Sequence, residues 1–283
     1  MTDTFAAETW VDRSKQLLNQ AQEHVYKETD DGLSLKAYVF SPPGEPDQLR
    51  PVVMFFSSGS WDNILISQFG PQCMHFVERG AIAILVEYRT SSVHGTSPME
   101  AVSDARSAIR WVRYNAEILQ IDPTRIVAGG GSAGGHLALA AAMIPGVADD
   151  PNDPNITCVP NGLILYCPIV DTSKKGCGFE RFRNADDANR ANPSKYIGKH
   201  MPPMIIFHGT ADKFMSVDIV AKFAKQVQRK SNVCEMVMFD GRDNTFYNFN
   251  VDPDAYDMTL AEADRFLVDQ GFLQTPPDDG VVG

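Results

Sequence analysis

A basic segment leading into an apolar one is missing from the start of this chain, and none of its apolar runs is long enough to cross a bilayer. The expectation is a cytoplasmic, water-soluble protein. Positive charge is also scarce, with 25 lysines and arginines against 36 aspartates and glutamates, a formal net charge of −11. That balance argues against nucleic acid or an anionic membrane surface as the main partner. The five cysteines (Cys73, Cys158, Cys167, Cys177 and Cys234) are odd in number, scattered and without C-x-x-C spacing. Such a pattern argues against a disulfide framework or a zinc motif, so the thiols are read as reduced and no metal or cofactor is expected.

What is present is ordinary for a globular enzyme: 43% hydrophobic and 22% charged residues, with no internal repeat or low-complexity block. A length of 283 residues favours one α/β domain over residues 1–283 with a modest excursion. Trp10, Leu17, Leu18, Ala21 and Val25 recur at three- and four-residue spacing, which predicts an amphipathic helix over 9–26 inside an N-terminal helical segment of residues 1–30. Short apolar runs near 33–40, 52–56, 81–86, 126–131, 162–167, 203–208 and 234–240 read as strands. Most of those from 52 onward alternate with helical patterns, among them 99–119, with Ile109, Trp111, Val112 and Ile118 as core candidates, then 217–228 and 253–270. Residues 171–200, rich in charge, glycine and asparagine, read as an irregular insertion, and 274–283 as a loose tail. Strands alternating with helices imply a mostly parallel central sheet covered on both faces.

The chemistry centres on Arg125-Ile126-Val127-Ala128-Gly129-Gly130-Gly131-Ser132-Ala133-Gly134-Gly135-His136-Leu137-Ala138-Leu139. An apolar run, a glycine cluster around one serine and an alanine-rich run spell a strand, a very tight turn and a helix. Within it Gly130-Gly131-Ser132-Ala133-Gly134 fits G-x-S-x-G, the pattern that holds a nucleophilic serine in a strained, exposed pose at a helix N-terminus. Functional groups in open α/β sheets gather beyond the carboxyl ends of the strands. Asp212 meets that condition in Phe207-His208-Gly209-Thr210-Ala211-Asp212, and it follows Ser132 in the order expected of a Ser, acid, His site.

On these residues the chain resembles the α/β-hydrolase superfamily, in particular the bacterial esterases and lipases of the hormone-sensitive-lipase-like group. Glu87-Tyr88-Arg89, Trp111-Val112-Arg113 and Ile121-Asp122-Pro123 carry the likeness further, over about residues 33–273. The resemblance implies the α/β-hydrolase fold, a mostly parallel sheet with helices on both faces and a small irregular insertion or cap. It also implies a serine hydrolase in which Ser132 attacks and Asp212 orients the base.

Two segments depart from the family pattern. Where the family's histidine stands in G-x-x-H-x-F, this chain reads Gly241-Arg242-Asp243-Asn244-Thr245-Phe246, so Asn244 occupies the place of the base. An amide neither accepts the serine proton at neutral pH nor relays it as imidazole does. The six histidines (His24, His75, His94, His136, His200 and His208) lie elsewhere. His136 and His208 are read as structural, whereas His94 and His200 sit in loops from which a substitute base is conceivable. The second departure is the oxyanion loop, Ser57-Ser58-Gly59-Ser60-Trp61 where relatives carry a His-Gly-Gly-Gly-Trp type sequence. Because such holes are made by main-chain N–H groups, Ser58, Gly59, Ser60 and Ala133 remain candidates for oxyanion and substrate binding.

The leading expectation is an esterase on a small acyl ester, an acetyl ester among them, impaired by Asn244. The alternatives are a non-hydrolytic binder that keeps the pocket, and a lyase or decarboxylase that uses the oxyanion hole for an enolate. The partner is a small-molecule ester, and a homodimer through the strand 234–239 is expected by analogy.

Overall fold

The computed structural model describes residues 16–146 and 156–275. One eight-stranded sheet runs through the molecule in the order β1-β2-β4-β3-β5-β6-β7-β8. Its strands are β1 (Gln22–Glu28), β2 (Ser34–Phe40), β3 (Arg50–Phe56), β4 (Ile82–Val86), β5 (Ile121–Gly131), β6 (Gly162–Tyr166), β7 (Met204–Gly209) and β8 (Cys234–Phe239). β1 and β2 pair antiparallel, as do β2 and β4, and every later pairing is parallel. The principal helices are α1 (Gly70–Glu78), α2 (Pro98–Tyr114), α3 (Ala133–Met143), α4 (Ala185–Arg190), α5 (Val217–Arg229) and α6 (Pro253–Asp269).

Continuous apolar runs form the middle of the sheet because both of its faces are covered. Along β3, Val52, Met54 and Phe56 join the apolar layer with α2, α3 and α5, while Val53 and Phe55 join the layer with α1 and α6. This is the period-two alternation of a strand expressed as two cores rather than as an inside and an outside. Polar caps start the helices where the pattern demands them: Ser97 and Glu100 form a reciprocal capping box at α2, Ser216 caps α5 and Asp252 caps α6. The insertion 171–200 contains α4 and two short 3₁₀ turns, Phe179–Arg181 and Pro193–Lys195. Among the described residues no helix is long and apolar enough to cross a membrane.

Two expectations are corrected. The helix read over 9–26 is helical in the described residues only at 16–18, and from Gln22 the chain is strand β1 on the sheet edge. There Tyr26 turns inward, 7% exposed, and its hydroxyl donates to the Glu87 carbonyl, whereas Val25, counted as an apolar helical position, points outward and is 46% exposed. A half-exposed edge strand preceded by a helical turn mimics helical spacing, so tertiary pairing with β2 decides the matter. Ile118, expected in the core, is 81% exposed. Helix α2 ends at its Asn115 cap, so Ile118 lies on the turn beyond and leaves the buried face. Residues 1–15 and most of the tail, 276–283, lie outside the described residues.

Candidate active site

The β5 to α3 junction builds the nucleophile position. Ser132 holds φ 50° and ψ −112°, a conformation that costs free energy in a residue with a Cβ and that persists because the neighbours over-determine it. Its N–H donates to the Tyr166 carbonyl on β6 at 2.9 Å, and its carbonyl accepts from His136 N–H at 3.0 Å. The flanking glycines are required by close approach. A Cβ at Gly134 would overlap the Phe56 carbonyl oxygen, and one at Gly131 would overlap the Tyr247 hydroxyl. Strand, helix and neighbouring loops therefore close around Ser132, which stays partly exposed between buried Gly131 and Ala133. Among the described residues its hydroxyl makes no hydrogen bond to a side chain.

The loop after β3 supplies main-chain donors. Gly59 has φ 129°, and Ser60 and Trp61 both have φ 54°, so the chain turns sharply with N–H groups left over. Among the described residues the N–H groups of Gly59, Ser60 and Ala133 find no intramolecular acceptor, the condition an oxyanion pocket needs. Ser58 differs from its expected role: its N–H and hydroxyl both donate to the Gln68 side-chain oxygen, at 2.7 and 2.9 Å. Gln68 in turn donates to the Asn248 side chain at 3.0 Å, joining the loop after β3 to the loop after β8. Trp61, 2% exposed, meets the His136 ring edge-on at 5.0 Å between centroids and anchors the loop.

Asp212 sits beyond the end of β7 with its carboxylate buried, the side chain 1% exposed. Its Oδ1 accepts from the N–H groups of Phe214 and Met215 at 2.7 and 3.1 Å, which fixes its orientation. Its Oδ2 is buried without a hydrogen bond. The ring of His208 lies 3.4 Å away through Nε2, but that nitrogen donates to the Met215 carbonyl at 2.9 Å. Burial lowers the affinity of His208 for a second proton below that of a free imidazole. The Cys167 thiol lies against the same carboxylate, its ligand atom within 4.8 Å of those of His208 and Asp212.

Asn244 stands in the loop after β8, partly buried. Ala211 N–H, next to Asp212, donates to the Arg242 carbonyl at 2.8 Å, so this loop is tied to the one bearing the carboxylate. Phe246 and Tyr247 then plunge into the core at 1% exposure each, and Gln72 donates to the Tyr247 carbonyl at 3.1 Å. The amide of Asn244 has no hydrogen bond among the described residues. Among the described residues no histidine side chain hydrogen-bonds to Ser132. His136 is wholly buried, donates from Nε2 to the Ala191 carbonyl at 2.7 Å, and is pushed down to about 4 by burial. His94 accepts from Thr90 N–H at 3.0 Å, and His200 is exposed in a loop.

Comparison with known proteins follows the same geometry. Esterase 2 of Thermogutta terrifontis superposes with a TM-score of 0.86 at 38% sequence identity, covering 92% of this chain and 96% of that one. The chain belongs to the α/β-hydrolase superfamily, in its esterase and lipase group. Residues 38–155 match the BD-FAE family. Isoprenylcysteine alpha-carbonyl methylesterase ICME of Arabidopsis thaliana is 27% identical over 230 residues, 72% of this chain and 52% of that protein. Carboxylesterase NlhH of Mycobacterium tuberculosis is 36% identical over 117 residues, 40% of this chain and 35% of that protein. The chain thus spans about half or less of the length of these curated relatives.

Local sequence pattern pointed to the elbow and to Asp212, and the family resemblance to the loop 57–61. It did not lead to Gln68, whose partners lie 10 and 180 residues away, or to Cys167 beside the carboxylate. Neither contact has a signature shorter than the fold itself.

Proposed function

We propose that this hydrolase is a serine carboxylesterase in architecture, directed at short acyl esters and slowed by the amide at Asn244. The observation that carries the proposal is the strained Ser132 turn, packed against the start of the loop after β3, whose Gly59 and Ser60 N–H groups, like that of Ala133, have no acceptor among the described residues. In the reaction the Ser132 oxygen bonds to the ester carbonyl carbon, the carbonyl oxygen takes up negative charge among those N–H groups, and the C–O bond to the alcohol breaks. Water then releases the acid and restores the serine. Both halves need a proton taken from one oxygen and returned to another. Asp212 is oriented to hold an imidazole for that purpose, and Asn244 has no basic lone pair to offer. Loss of the base costs about 10⁶ in kcat, while oxyanion stabilisation and binding retain roughly 10³ to 10⁴ over water. Structures of the Thermogutta esterase with propionate and with butyrate bound support short acyl groups as the substrate class.

The test is p-nitrophenyl ester hydrolysis from acetate to decanoate, with mass spectrometry of the chain after a fluorophosphonate probe. The reading expects slow, saturable turnover that favours the short esters, and a single adduct on Ser132. Turnover unchanged in Ser132→Ala would overturn it. The Asp212 Oδ2, buried without a hydrogen bond, favours a second reading, a binder that retains the site without the chemistry. Saturable binding of short acyl esters with no acid released and no Ser132 adduct selects that reading. For assembly, we propose a homodimer through the edge strand β8, where Met238 on the strand and Met258 on α6 are 60% and 58% exposed. A monomer mass by light scattering removes it.

A further inference from the structure

We propose that Cys167, His208 and Asp212 form a binding site for a soft divalent cation of the zinc class. Two neighbouring parallel strands deliver the ligands: Cys167 follows β6, His208 lies in β7, and Asp212 follows the end of β7. Their ligand atoms all fall within 4.8 Å of one another, and His208 Nε2 stands 3.4 Å from Asp212 Oδ2. Around a tetrahedral ion with bonds of about 2.0 to 2.3 Å, ligand atoms stand roughly 3.3 to 3.8 Å apart, so a small inward adjustment completes the geometry. A thiolate, an imidazole and a carboxylate together are the donor set of zinc rather than of magnesium or calcium.

Electrostatics favours a cation at the same place. The Asp212 carboxylate is buried, one oxygen has no hydrogen bond, and the family's compensating imidazole is replaced by the neutral Asn244. The two N–H groups on Oδ1 offset only part of the desolvation of this buried carboxylate, and a cation bound to Oδ2 would offset more of it. The cluster is also held in place from outside, by the Cys167 N–H on the Phe207 carbonyl at 2.8 Å and by the two N–H groups on Oδ1.

Binding is balanced as follows. The Cys167 S–H bond breaks, a metal–sulfur bond forms, and one proton leaves to solvent. His208 gives its Nε2 lone pair to the ion, gives up its bond to the Met215 carbonyl, and carries its ring proton on Nδ1. A solvent molecule completes the fourth position. The expectation of no metal, drawn from cysteine spacing, looked for C-x-x-C pairs, whereas this cluster uses one thiol with a histidine and an aspartate four residues apart.

The site does not depend on ester hydrolysis, so its test reads binding directly. The full chain, stripped with a chelator, is titrated with Co²⁺ and followed by absorbance. A saturable thiolate-to-cobalt charge-transfer band, release of one proton per ion, and displacement of the band by Zn²⁺ are expected. Cys167→Ser should abolish the band, and His208→Gln should weaken Co²⁺ binding by at least the roughly tenfold to hundredfold that loss of a hydrogen-bond partner of a metal ligand costs. Each variant is checked for folding by its circular dichroism spectrum. No band in the unaltered chain, or a band that survives Cys167→Ser, overturns the proposal without recourse to any variant's stability.

Discussion

The β5–α3 elbow and the loop after β8 meet where a Cβ at Gly131 would overlap the Tyr247 hydroxyl, and they are built on opposite principles. The elbow is enclosed by β3, β6 and α3, and its glycines have no room for a side chain. The loop after β8 anchors itself through Phe246 and Tyr247 while Asn244, two residues upstream, makes no hydrogen bond among the described residues. The fold thus requires the nucleophile's turn but not the base. On the proposed mechanism the side chain at 244 governs proton transfer with little bearing on packing, whereas a methyl group at Gly131 or Gly134 would overlap neighbouring atoms.

That contrast orders the consequences of mutation. In an Asn244→His background, Ser132→Ala should lower kcat for p-nitrophenyl butyrate by about 10⁶, because nucleophile and base act as a unit. A loss of less than tenfold would mean the chemistry runs elsewhere. Gly134→Ala places a Cβ on the Phe56 carbonyl oxygen and should cost roughly 3 kcal/mol or more in urea unfolding. An unchanged midpoint would show that the elbow is looser than its contacts imply.

A pH effect of similar size should come from His136. It is neutral and buried in the folded chain, with its proton affinity pushed down to about 4, while an unfolded imidazole titrates near about 6.5. Between those values the unfolded state binds the extra proton and the folded state does not. Stability is therefore full above about pH 6.5 and falls as pH drops toward about 4, by about 3 kcal/mol in all. His208, lowered in the same direction, adds to the slope. His136→Gln should flatten the urea-midpoint profile across this window, and an unaltered slope would assign acid lability to other groups. The smallest effect expected is that of Gln68→Ala, which unties Ser58 from Asn248 and should lower kcat/KM about tenfold in the Asn244→His background with little change in Tm. Equal activity would show that the oxyanion loop holds its shape without this bridge.

What the sequence made legible follows physical range. Strand, glycine turn and helix around Ser132 are neighbours in the chain, so their pattern is complete within fifteen residues. Asp212 was singled out because it follows a strand in a known order and strand ends converge in a parallel sheet, and Asn244 because it stands where the resembled family carries its histidine. Ser58 was misread as a free donor because its partner, Gln68, lies on the approach to α1, and only folding brings them together. Strand β1 was misread because an edge strand has one buried side and its spacing competes with that of a helix. Cys167 escaped notice because its neighbour across the sheet depends on β6 lying beside β7, which no local motif records.

The central claim is that the amide at Asn244, rather than the altered loop 57–61, limits catalysis. Its most direct test is the ratio of kcat/KM for p-nitrophenyl butyrate between Asn244→His and the unaltered chain. The account predicts a rise of about 10³ or more, toward the 10⁶ that a missing base costs. A ratio near one, with the variant folded, would contradict it.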